Sequence, residues 1–552
     1  MKSFFLSVFF VITQCSLFGQ NLSNEYYWIK FKDKNSGGYS FNNPNQFLSQ
    51  RSIDRRNNQG IAIDSSDLPV SENYINAVLG YTPQLVCKLK WFNMVLVKTA
   101  GGAVIDSIKQ LSFVDSVAPI ITYPYKSLLA QHKFESVTPV NQQIVYPDVH
   151  GLAYHQLNMM NGDLLHQLGY RGEGMLIAMM DAGCLGADHL PAFDSVRPRI
   201  LDSWNFAQNE QSIYADSQGV HGTYTFGCIA GNLPNQYVGS APEASFVLFH
   251  TEDNYAEWVM EEYYWAAAAE RADSNGAQIF STSLGYNTFD GNVGSHTYPD
   301  MTGNKTLITQ AANTAASKGI LVFNSAGNEG DNIWHYIVAP ADGDSVIAIG
   351  AVDSARYIDT FSSCGPNSVR RIKPDLCAQG SGVGLVGTDG NFLYGSGTSF
   401  SCPITAGCAA CLWQAFPAKT AKEIKDAIMI SADRFNSPDN RYGYGIPNFY
   451  NAYLFLKTNY NGNVLRLSND AAVYPNPFSN QLNISLYNTT AGMRTIELFD
   501  LLGQKVLSQQ VFLRENTFEI VTLVQVSILA KGEYFLRIDG QKMFTHPVIK
   551  AK

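Results

Sequence analysis

Ser399 stands in the glycine-rich stretch Gly395-Ser396-Gly397-Thr398-Ser399, directly before a run of small and apolar residues. This pattern predicts a loop that feeds a buried helix, with Ser399 at the helix N-terminus and Pro403 in the first turn, where proline is tolerated. Orphan amides and the positive end of the helix dipole favour negative charge there, so Ser399 could act as a nucleophile. An N-cap serine is the alternative interpretation, and Ser401 could equally be the cap.

Three other polar residues stand at comparable places in the central part of the chain. Asp181 ends the apolar run Met175 to Met180, which is typical of a buried parallel strand. His221 opens an apolar helix, and Asn328 lies in a glycine-flanked loop after another apolar run, where its amide could donate to a developing oxyanion. Taken singly, each has an ordinary structural interpretation as a capping Asp, a packed His or a turn-forming Asn.

The alternation of strand and helix patterns around these four residues predicts an α/β domain, with each polar residue at a strand end or a helix start. The Asp, His, Ser order is that of subtilisin, and it differs from the orders of α/β-hydrolases and chymotrypsin-like enzymes. From about residue 150 to 456 the chain resembles the subtilisin-like serine peptidases, or subtilases. The resemblance rests on five ordered motifs: Asp181-Ala182-Gly183, His221-Gly222-Thr223, Ser283-Leu284-Gly285, Ala326-Gly327-Asn328-Glu329 and Gly397-Thr398-Ser399.

The resemblance implies a role for each motif. Ser399 would attack the scissile carbonyl, His221 would relay the proton, and Asp181 would orient the imidazole. Asn328 and the Ser399 amide would hold the oxyanion. The implied substrate-binding residues are Ser283, Leu284 and Gly285, as an edge strand that pairs with the substrate backbone, together with Ala326 and Gly327. Because Ala182 stands where the family usually has a hydroxyl residue, we expect Asp181 to lack one hydrogen bond.

The chain has 552 residues, of which 45% are hydrophobic, so we expect several domains and at least one large core. The predicted divisions are a signal peptide (1–20), a propeptide or inhibitor-like domain (21–125), a linker (126–149), the catalytic domain (150–457), a second linker (458–470) and a C-terminal domain (471–552). The predicted fold is α/β, with a subtilisin-like, mostly parallel sheet flanked by helices. A ferredoxin-like α+β unit precedes it, and a small β-sandwich follows it.

The roles of the two flanking units are implied only by their resemblance to known domains. The N-terminal unit, built from two βαβ-like halves, looks like a subtilase propeptide that assists folding and inhibits, with cleavage between Lys126 and His155; an accessory binding domain is the alternative. The last 80 residues or so resemble the C-terminal sorting domain of the Bacteroidetes type IX secretion system, and the alternative is a carbohydrate- or surface-binding domain. With the signal peptide, this predicts a protein that is secreted or attached to the cell surface, by way of the periplasm.

The net charge and the composition limit the classes of partner that the protein is expected to bind. A net charge of −9 without a basic run argues against nucleic acid as the main partner. We expect polypeptide substrates, the type IX secretion machinery and a monomer. No cofactor is expected for the chemistry. Structural calcium is common in the family, and Asp290, Asn292 and Asp300 lie in a glycine-rich loop, although their spacing does not match an EF-hand. The metal ligands therefore stay unassigned.

The sequence predicts a secreted serine endopeptidase made as a self-processing zymogen. The alternative is a secreted binding protein that keeps the subtilase scaffold without catalysis. A further hypothesis is a disulfide between Cys364 and Cys377, which lie in one loop-rich segment of a protein bound for an oxidising compartment.

Overall fold

The computed structural model describes residues 23–35, 38–99, 101–122, 136–140, 148–216, 219–457, 465–468, 471–474, 476–488, 491–513, 517–539 and 544–551. The predicted signal peptide lies outside these residues, as do most of the predicted linker 126–149 and part of the linker 458–470. Among the described residues, no helix is both long and apolar enough to cross a membrane.

The N-terminal domain is a four-stranded antiparallel sheet with helices. Its elements are β1 (Ser23–Phe31), α1 (Gln50–Gln59), α2 (Glu72–Leu79), β2 (Gln84–Leu89), β3 (Met94–Lys98), α3 (Gly102–Lys109) and β4 (Val114–Thr122). The strand order β2-β3-β1-β4 confirms the predicted ferredoxin-like arrangement. The stretch from Leu85 to Thr99 is not one continuous strand, because a turn at Asn93, with φ 54°, divides it into a hairpin.

The catalytic-domain sheet has seven strands in the order β14-β13-β12-β11-β6-β10-β7, and every neighbouring pair is parallel. The strands of this part of the chain are β5 (Val137–Pro139), β6 (Leu176–Asp181), β7 (Ile200–Asn205), β8 (Asn232–Leu233), β9 (Tyr237–Val238), β10 (Ser245–His250), β11 (Ile279–Thr282), β12 (Leu321–Ser325), β13 (Ile347–Val352), β14 (Leu376–Gln379), β15 (Val383–Val386) and β16 (Phe392–Gly395). The helices are α4 (Tyr154–Asn158), α5 (Gly162–Gln167), α6 (Val220–Ala230), α7 (Met260–Asn275), α8 (Leu307–Ser317), α9 (Thr398–Ala415), α10 (Ala421–Ser431) and α11 (Phe449–Lys457).

The central strand β6 shows why this sheet is buried on both faces. All six of its residues are buried, and its five apolar residues alternate between two cores. Ile177 and Met179 join the core that contains α6 and α9, whereas Leu176, Ala178 and Met180 join the core that contains α7 and α8. A strand covered on both sides needs a continuous apolar run, and this is the pattern from which the parallel sheet was predicted.

The C-terminal domain consists of two four-stranded antiparallel sheets, β17-β18-β19-β22 and β21-β20-β23-β24. The strands are β17 (Leu465–Ser468), β18 (Ala471–Tyr474), β19 (Leu482–Asn488), β20 (Gly492–Phe499), β21 (Lys505–Leu513), β22 (Thr517–Leu523), β23 (Gly532–Ile538) and β24 (Phe544–Lys550). Buried side chains from both sheets form one core, including Ile484 from the first sheet and Leu498 and Leu536 from the second. The predicted small β-sandwich is therefore confirmed.

Two local predictions differ from the structure. The predicted linker 126–149 contains a strand, β5, which pairs with β16 of the catalytic domain. Pro403 is not in the first turn of its helix, because α9 begins at Thr398, five residues earlier. A proline at this depth cannot donate to the carbonyl four residues back, which belongs to Ser399, so that carbonyl needs another partner.

Candidate active site

Asp181 and His221 meet where the central strand β6 ends and α6 begins. His221 Nδ1 lies 2.6 Å from Asp181 Oδ1, and both side chains are buried. The close approach of α6 to the end of β6 requires glycine after the histidine. A Cβ on Gly222 would lie only 1.7 Å from the carbonyl oxygen of Gly183. The pairing of the Asp-Ala-Gly and His-Gly-Thr motifs therefore follows from backbone packing as well as from side-chain chemistry.

Thr225 supplies a hydrogen bond that sequence reasoning expected to be missing. Its hydroxyl donates to Asp181 Oδ2 at 2.9 Å, while the Ala182 amide donates to Asp181 Oδ1 at 2.7 Å. Thr225 of α6 thus supplies the hydrogen bond to Asp181 that the Ala182 side chain cannot make. Thr225 lies four residues after His221, on the same face of the helix, and this spacing is the sequence signal that could have identified it.

Ser399 is the second residue of α9, and Gly397 rather than a serine occupies the N-cap position. The alternative interpretation of Ser399 or Ser401 as the cap is therefore wrong. The Ser401 hydroxyl instead donates to the Thr398 carbonyl at 3.0 Å. The Ser399 carbonyl, which Pro403 leaves without its helical donor, accepts the Ser283 hydroxyl at 2.7 Å. This bond ties the start of α9 to the motif that follows β11.

Asn328 lies beside the start of α9, and its side-chain orientation is defined by two donors. The Thr398 amide and the Thr398 hydroxyl each donate to Asn328 Oδ1 at 2.9 Å. Because the oxygen accepts both bonds, the opposite end of the amide group is the NH₂ donor. The preceding residue, Gly327, has φ +107°, which favours glycine, and a Cβ there would lie 2.8 Å from the Ser363 hydroxyl oxygen.

A cleft of about 640 Å³ contains most of the predicted site residues. Its lining includes His221, Ser283, Leu284, Gly285, Gly327, Asn328 and Ser399. Ser399 Oγ lies 3.4 Å from the Ser283 carbonyl oxygen, so the nucleophile candidate and the predicted edge strand adjoin one another. Two predicted site residues do not line the cleft: Asp181 lies behind His221, and Ala326 is fully buried in a small core with Ile337 and Ala348.

The cysteines that the structure describes provide no rival nucleophile at this cleft. Burial raises the pKa of the Cys402 thiol, which lies three residues after Ser399 and is inaccessible to solvent. The predicted disulfide between Cys364 and Cys377 is wrong, because all the cysteines among the described residues are free and buried. The Cys364 thiol faces the His335 carbonyl at 3.5 Å, whereas the Cys377 thiol faces the Tyr442 carbonyl. The two thiols pack in different surroundings.

The two aspartates of the glycine-rich loop, Asp290 and Asp300, do not share one set of contacts. Asp300 accepts from Thr297 and pairs with Lys305, whereas Asp290 accepts from the Glu257 amide at 3.1 Å. Among the described residues, three other carboxylates lie within 4.8 Å of one another: Glu252, Glu257 and Glu261. Carboxylate oxygens are the ligands that calcium prefers. Two backbone amides and the Tyr286 hydroxyl already donate to this group, so it is not assigned as a metal site.

Comparison with protein families gives three matches along the chain. The model of the subtilase family matches residues 172–445, the one for the Bacteroidota peptidase S8 propeptide domain matches residues 26–135, and the one for the secretion system C-terminal sorting domain matches residues 472–550. These matches and the fold define the class, a serine endopeptidase with a propeptide. The sorting domain directs type IX secretion and places the protein outside the cell or on its surface.

Similarity to individual relatives shows which family the chain belongs to. Subtilisin of Bacillus pumilus is 30% identical over 302 residues, which cover 53% of this chain and 95% of the relative. Subtilisin E of Bacillus subtilis is 29% identical over 350 residues, covering 62% of this chain and 81% of the relative. The chain belongs to the subtilase family. The crystal structure of the epidermin leader peptide processing serine protease from Staphylococcus aureus shares the fold, with a TM-score of 0.53 at 15% identity over 78% of this chain and 97% of that one.

Proposed function

We propose that Asp181, His221 and Ser399 form the catalytic triad of this endopeptidase. Ser399 Oγ attacks the scissile carbonyl carbon, and its proton passes to His221 Nε2, the ring nitrogen opposite the one that contacts Asp181. The same proton then goes to the leaving amine as the C–N bond breaks. Water hydrolyses the resulting acyl-enzyme by the same route. Asp181 holds the imidazole in the orientation that these transfers require.

The oxyanion formed on the carbonyl would be held by two donors, the Asn328 NH₂ and the Ser399 amide. Thr398 supports this assignment, because its two bonds to Asn328 Oδ1 fix which end of the amide carries the donor. Such donors are effective because they are oriented before the charge develops. The substrate backbone would pair along Ser283, Leu284 and Gly285, beside the nucleophile.

We propose further that the same site cuts the chain's own N-terminal domain, so the enzyme is made as a zymogen. The observation that carries the proposed function is the 2.6 Å contact of Asp181 with His221, which lines the same cleft as Ser399. The alternative, a silent binding protein, gains no support from these residues. A monomeric state and bound calcium stay predictions, which light scattering and metal analysis of the mature enzyme would test.

The test of the proposed function is Ser399→Ala. This variant should lose about 10⁶-fold in kcat, which is the size of the loss when the triad serine is removed from the related subtilisin. It should also keep its N-terminal domain uncleaved and fail to react with a serine-directed phosphonate. Ser401→Ala is the matched control, since it removes a buried hydroxyl two residues further along the helix and should keep both reactions. Efficient cleavage of purified, protease-free Ser399→Ala would contradict self-processing.

Asn328→Leu tests the oxyanion assignment separately. Removing one such donor lowers kcat by about 10²–10³-fold in subtilisin, and we expect the same range here with little change in KM. Leucine has a similar volume, so the variant should fold. A kcat equal to that of the unmodified enzyme would remove Asn328 from the mechanism.

A further inference from the structure

The cleft that contains Ser399 is lined by carboxylate side chains, those of Glu252, Glu257, Asp290 and Glu329. Among the described residues that line it, there is no lysine or arginine. We propose that Glu252, Glu257 and Asp290, called the acidic wall below, select polypeptides that carry a lysine or arginine near the bond to be cut. This inference rests on the proposed catalytic role of Ser399 and names the substrate class of the same cleft.

The acidic wall begins where the predicted substrate-pairing edge ends. The Ser283 carbonyl oxygen lies 3.4 Å from Ser399 Oγ, at the nucleophile end of this edge. At its other end follows Tyr286, whose hydroxyl donates to the Glu252 carboxylate. An extended chain advances about 3.3 Å per residue. A substrate paired along the edge therefore meets the wall with a side chain about two or more residues from the cut bond.

Two loops form the acidic wall and hold one another in place. The Asp290 amide donates to the Glu257 carbonyl at 2.9 Å, and the Glu257 amide donates to Asp290 Oδ2 at 3.1 Å. The buried Glu261 carboxylate of α7 accepts the Asp253 amide at 2.6 Å and the Trp258 amide at 3.0 Å, which fixes the segment between them. Because the wall is ordered before a substrate arrives, binding costs less conformational entropy.

The negative charges of this region reinforce one another. One carboxylate oxygen from each of Glu252, Glu257 and Glu261 lies within 4.8 Å of the other two. Glu252 is only 2% exposed and Asp290 only 8%, and walls of low dielectric constant strengthen the field in a cleft. An ammonium or guanidinium group placed there offsets the repulsion between the carboxylates and donates hydrogen bonds to them.

The acceptor capacity of the wall and the class of the enzyme both agree with a peptide cation. A carboxylate has about four lone-pair positions, so the donors already present leave sites for a further donor. The polypeptide nature of the ligand follows from the endopeptidase family, and the wall determines only which charge the ligand carries. A glutamate or aspartate at the same substrate position would be repelled.

The primary experiment measures kcat/KM of the purified enzyme on matched fluorogenic peptides, with lysine, norleucine or glutamate placed in turn at each position around the cut bond. Norleucine matches the lysine chain without its charge. We expect about a tenfold preference for lysine over norleucine at a position at least two residues from the cut, with glutamate the poorest. Equal values for lysine and norleucine at every such position would overturn the inference.

The Ser399→Ala variant separates failure of this inference from failure of the proposed function. If Ser399→Ala cleaves the peptides as fast as the unmodified enzyme, the proposed catalytic role fails. If Ser399→Ala is inactive while the unmodified enzyme shows no preference for lysine, only the role of the acidic wall fails.

Glu257→Gln and Asp290→Asn test the wall by removing charge with little change in size. Each amide keeps an oxygen that can accept a hydrogen bond. Each variant should lower the ratio of kcat/KM for lysine over norleucine about tenfold, whereas a structural disturbance would affect both peptides alike. Asp426→Asn, on α10 and outside the cleft lining, is the control and should keep the ratio. An unchanged ratio in both wall variants would overturn the assignment.

Discussion

The N-terminal and C-terminal domains flank the same catalytic domain but differ in how they complete their cores. The N-terminal domain shares a core with the catalytic domain, in which its residues Cys87, Leu89, Met94, Leu96 and Ile120 are clustered with residues of β6, α7 and α8. The core of the C-terminal domain is built from its own residues, from Val473 to Val548. A shared core makes the stability of two units interdependent, whereas a self-contained core allows separation.

Ion pairs strengthen the contact between the N-terminal domain and the catalytic domain, which is called the N-terminal joint below. Asp273, on α7 of the catalytic domain, is fully buried and contacts Arg55 at 2.5 Å and Arg56 at 2.9 Å, both on α1. Arg56 also pairs with Asp67 at 2.7 Å. Burial by itself would raise the pKa of Asp273, but Lys90, Arg55 and Arg56 hold this pKa well below its usual range. Asp273 and Arg55 lose their ion-pair partners when the two domains separate, whereas Arg56 keeps Asp67.

Deleting each domain in turn gives the largest expected difference. A chain that begins at Asp148 would have to fold without the N-terminal residues that share the core of β6, α7 and α8, and should give no soluble, active enzyme. A chain that ends at Asn461 should keep its specific activity, because the sandwich takes its own core with it. In the native host the shortened enzyme should accumulate in the periplasm. Fractionation and peptidase assays measure both results.

Either of two outcomes would contradict the expected difference in activity between the two truncations. Full activity from the chain that begins at Asp148 would show that the shared core is dispensable. Loss of activity in soluble, purified protein ending at Asn461 would show that the sandwich supports the catalytic fold. Undiminished activity of that truncation in the medium would instead point to a surface-binding module. Supplying residues 23–135 as a separate chain during refolding should rescue the first truncation and leave the second unaffected.

Asp273→Asn sharpens the comparison without removing a domain. It leaves Arg55 and Arg56 buried without their shared carboxylate, and breaking a buried pair in this way costs about 3 kcal/mol or more. The cleaved N-terminal domain should then dissociate roughly 10²-fold more readily. The measurement is the lag between chain cleavage and the appearance of peptidase activity.

Asp426→Asn is the matched control for this substitution. Asp426 makes an exposed i,i+4 pair with Lys422 on α10, and pairs of that kind contribute at most about 0.5 kcal/mol. The control should therefore leave the lag unchanged. An Asp273→Asn variant with the same lag as the control would show that the shared apolar core alone retains the N-terminal domain.

The sequence predicted the parts of the molecule whose local pattern determines their structure. The run that ends at Asp181 identified a strand buried on both faces, and glycine-bounded motifs located His221, Asn328 and Ser399. The contacts that sequence reasoning missed depend on residues far apart in the chain. The Thr225 bond to Asp181 and the Ser283 bond to Ser399 join segments 44 and 116 residues apart.

The N-terminal joint was missed for the same reason. The sequence around Arg55 does not indicate an ion pair between domains, because the carboxylate partner of Arg55 lies 218 residues away. Strand β5 was missed because three residues have no readable period, and only the neighbouring strand β16 gives them a conformation. The disulfide prediction for Cys364 and Cys377 failed because closeness in sequence does not fix closeness in space.

The smallest expected effect concerns how pH alters retention of the N-terminal domain through Glu270 of α7. Its carboxylate accepts the Lys90 amide at 2.6 Å and the Trp91 amide at 2.9 Å. Burial raises the pKa of Glu270 to about 7, against the opposing charges of Lys90 and Lys34 and the two amide donors. When the N-terminal domain leaves, the carboxylate meets water and its pKa returns toward the ordinary glutamate value.

The complex therefore binds a proton more tightly than the separated domains do. Retention should be strongest at low pH and should weaken as pH rises toward 7, with little further change above it. A bound-state pKa of about 7 gives roughly tenfold weaker retention at pH 8 than at pH 6. Dissociation of the cleaved domain, followed as the lag in peptidase activity, measures this difference. Glu270→Gln should remove most of it, because the amide does not titrate in this range. If Glu270→Gln kept the full pH dependence, another group at the joint would have to account for it, and the carboxylate would serve only as an acceptor for the two amides.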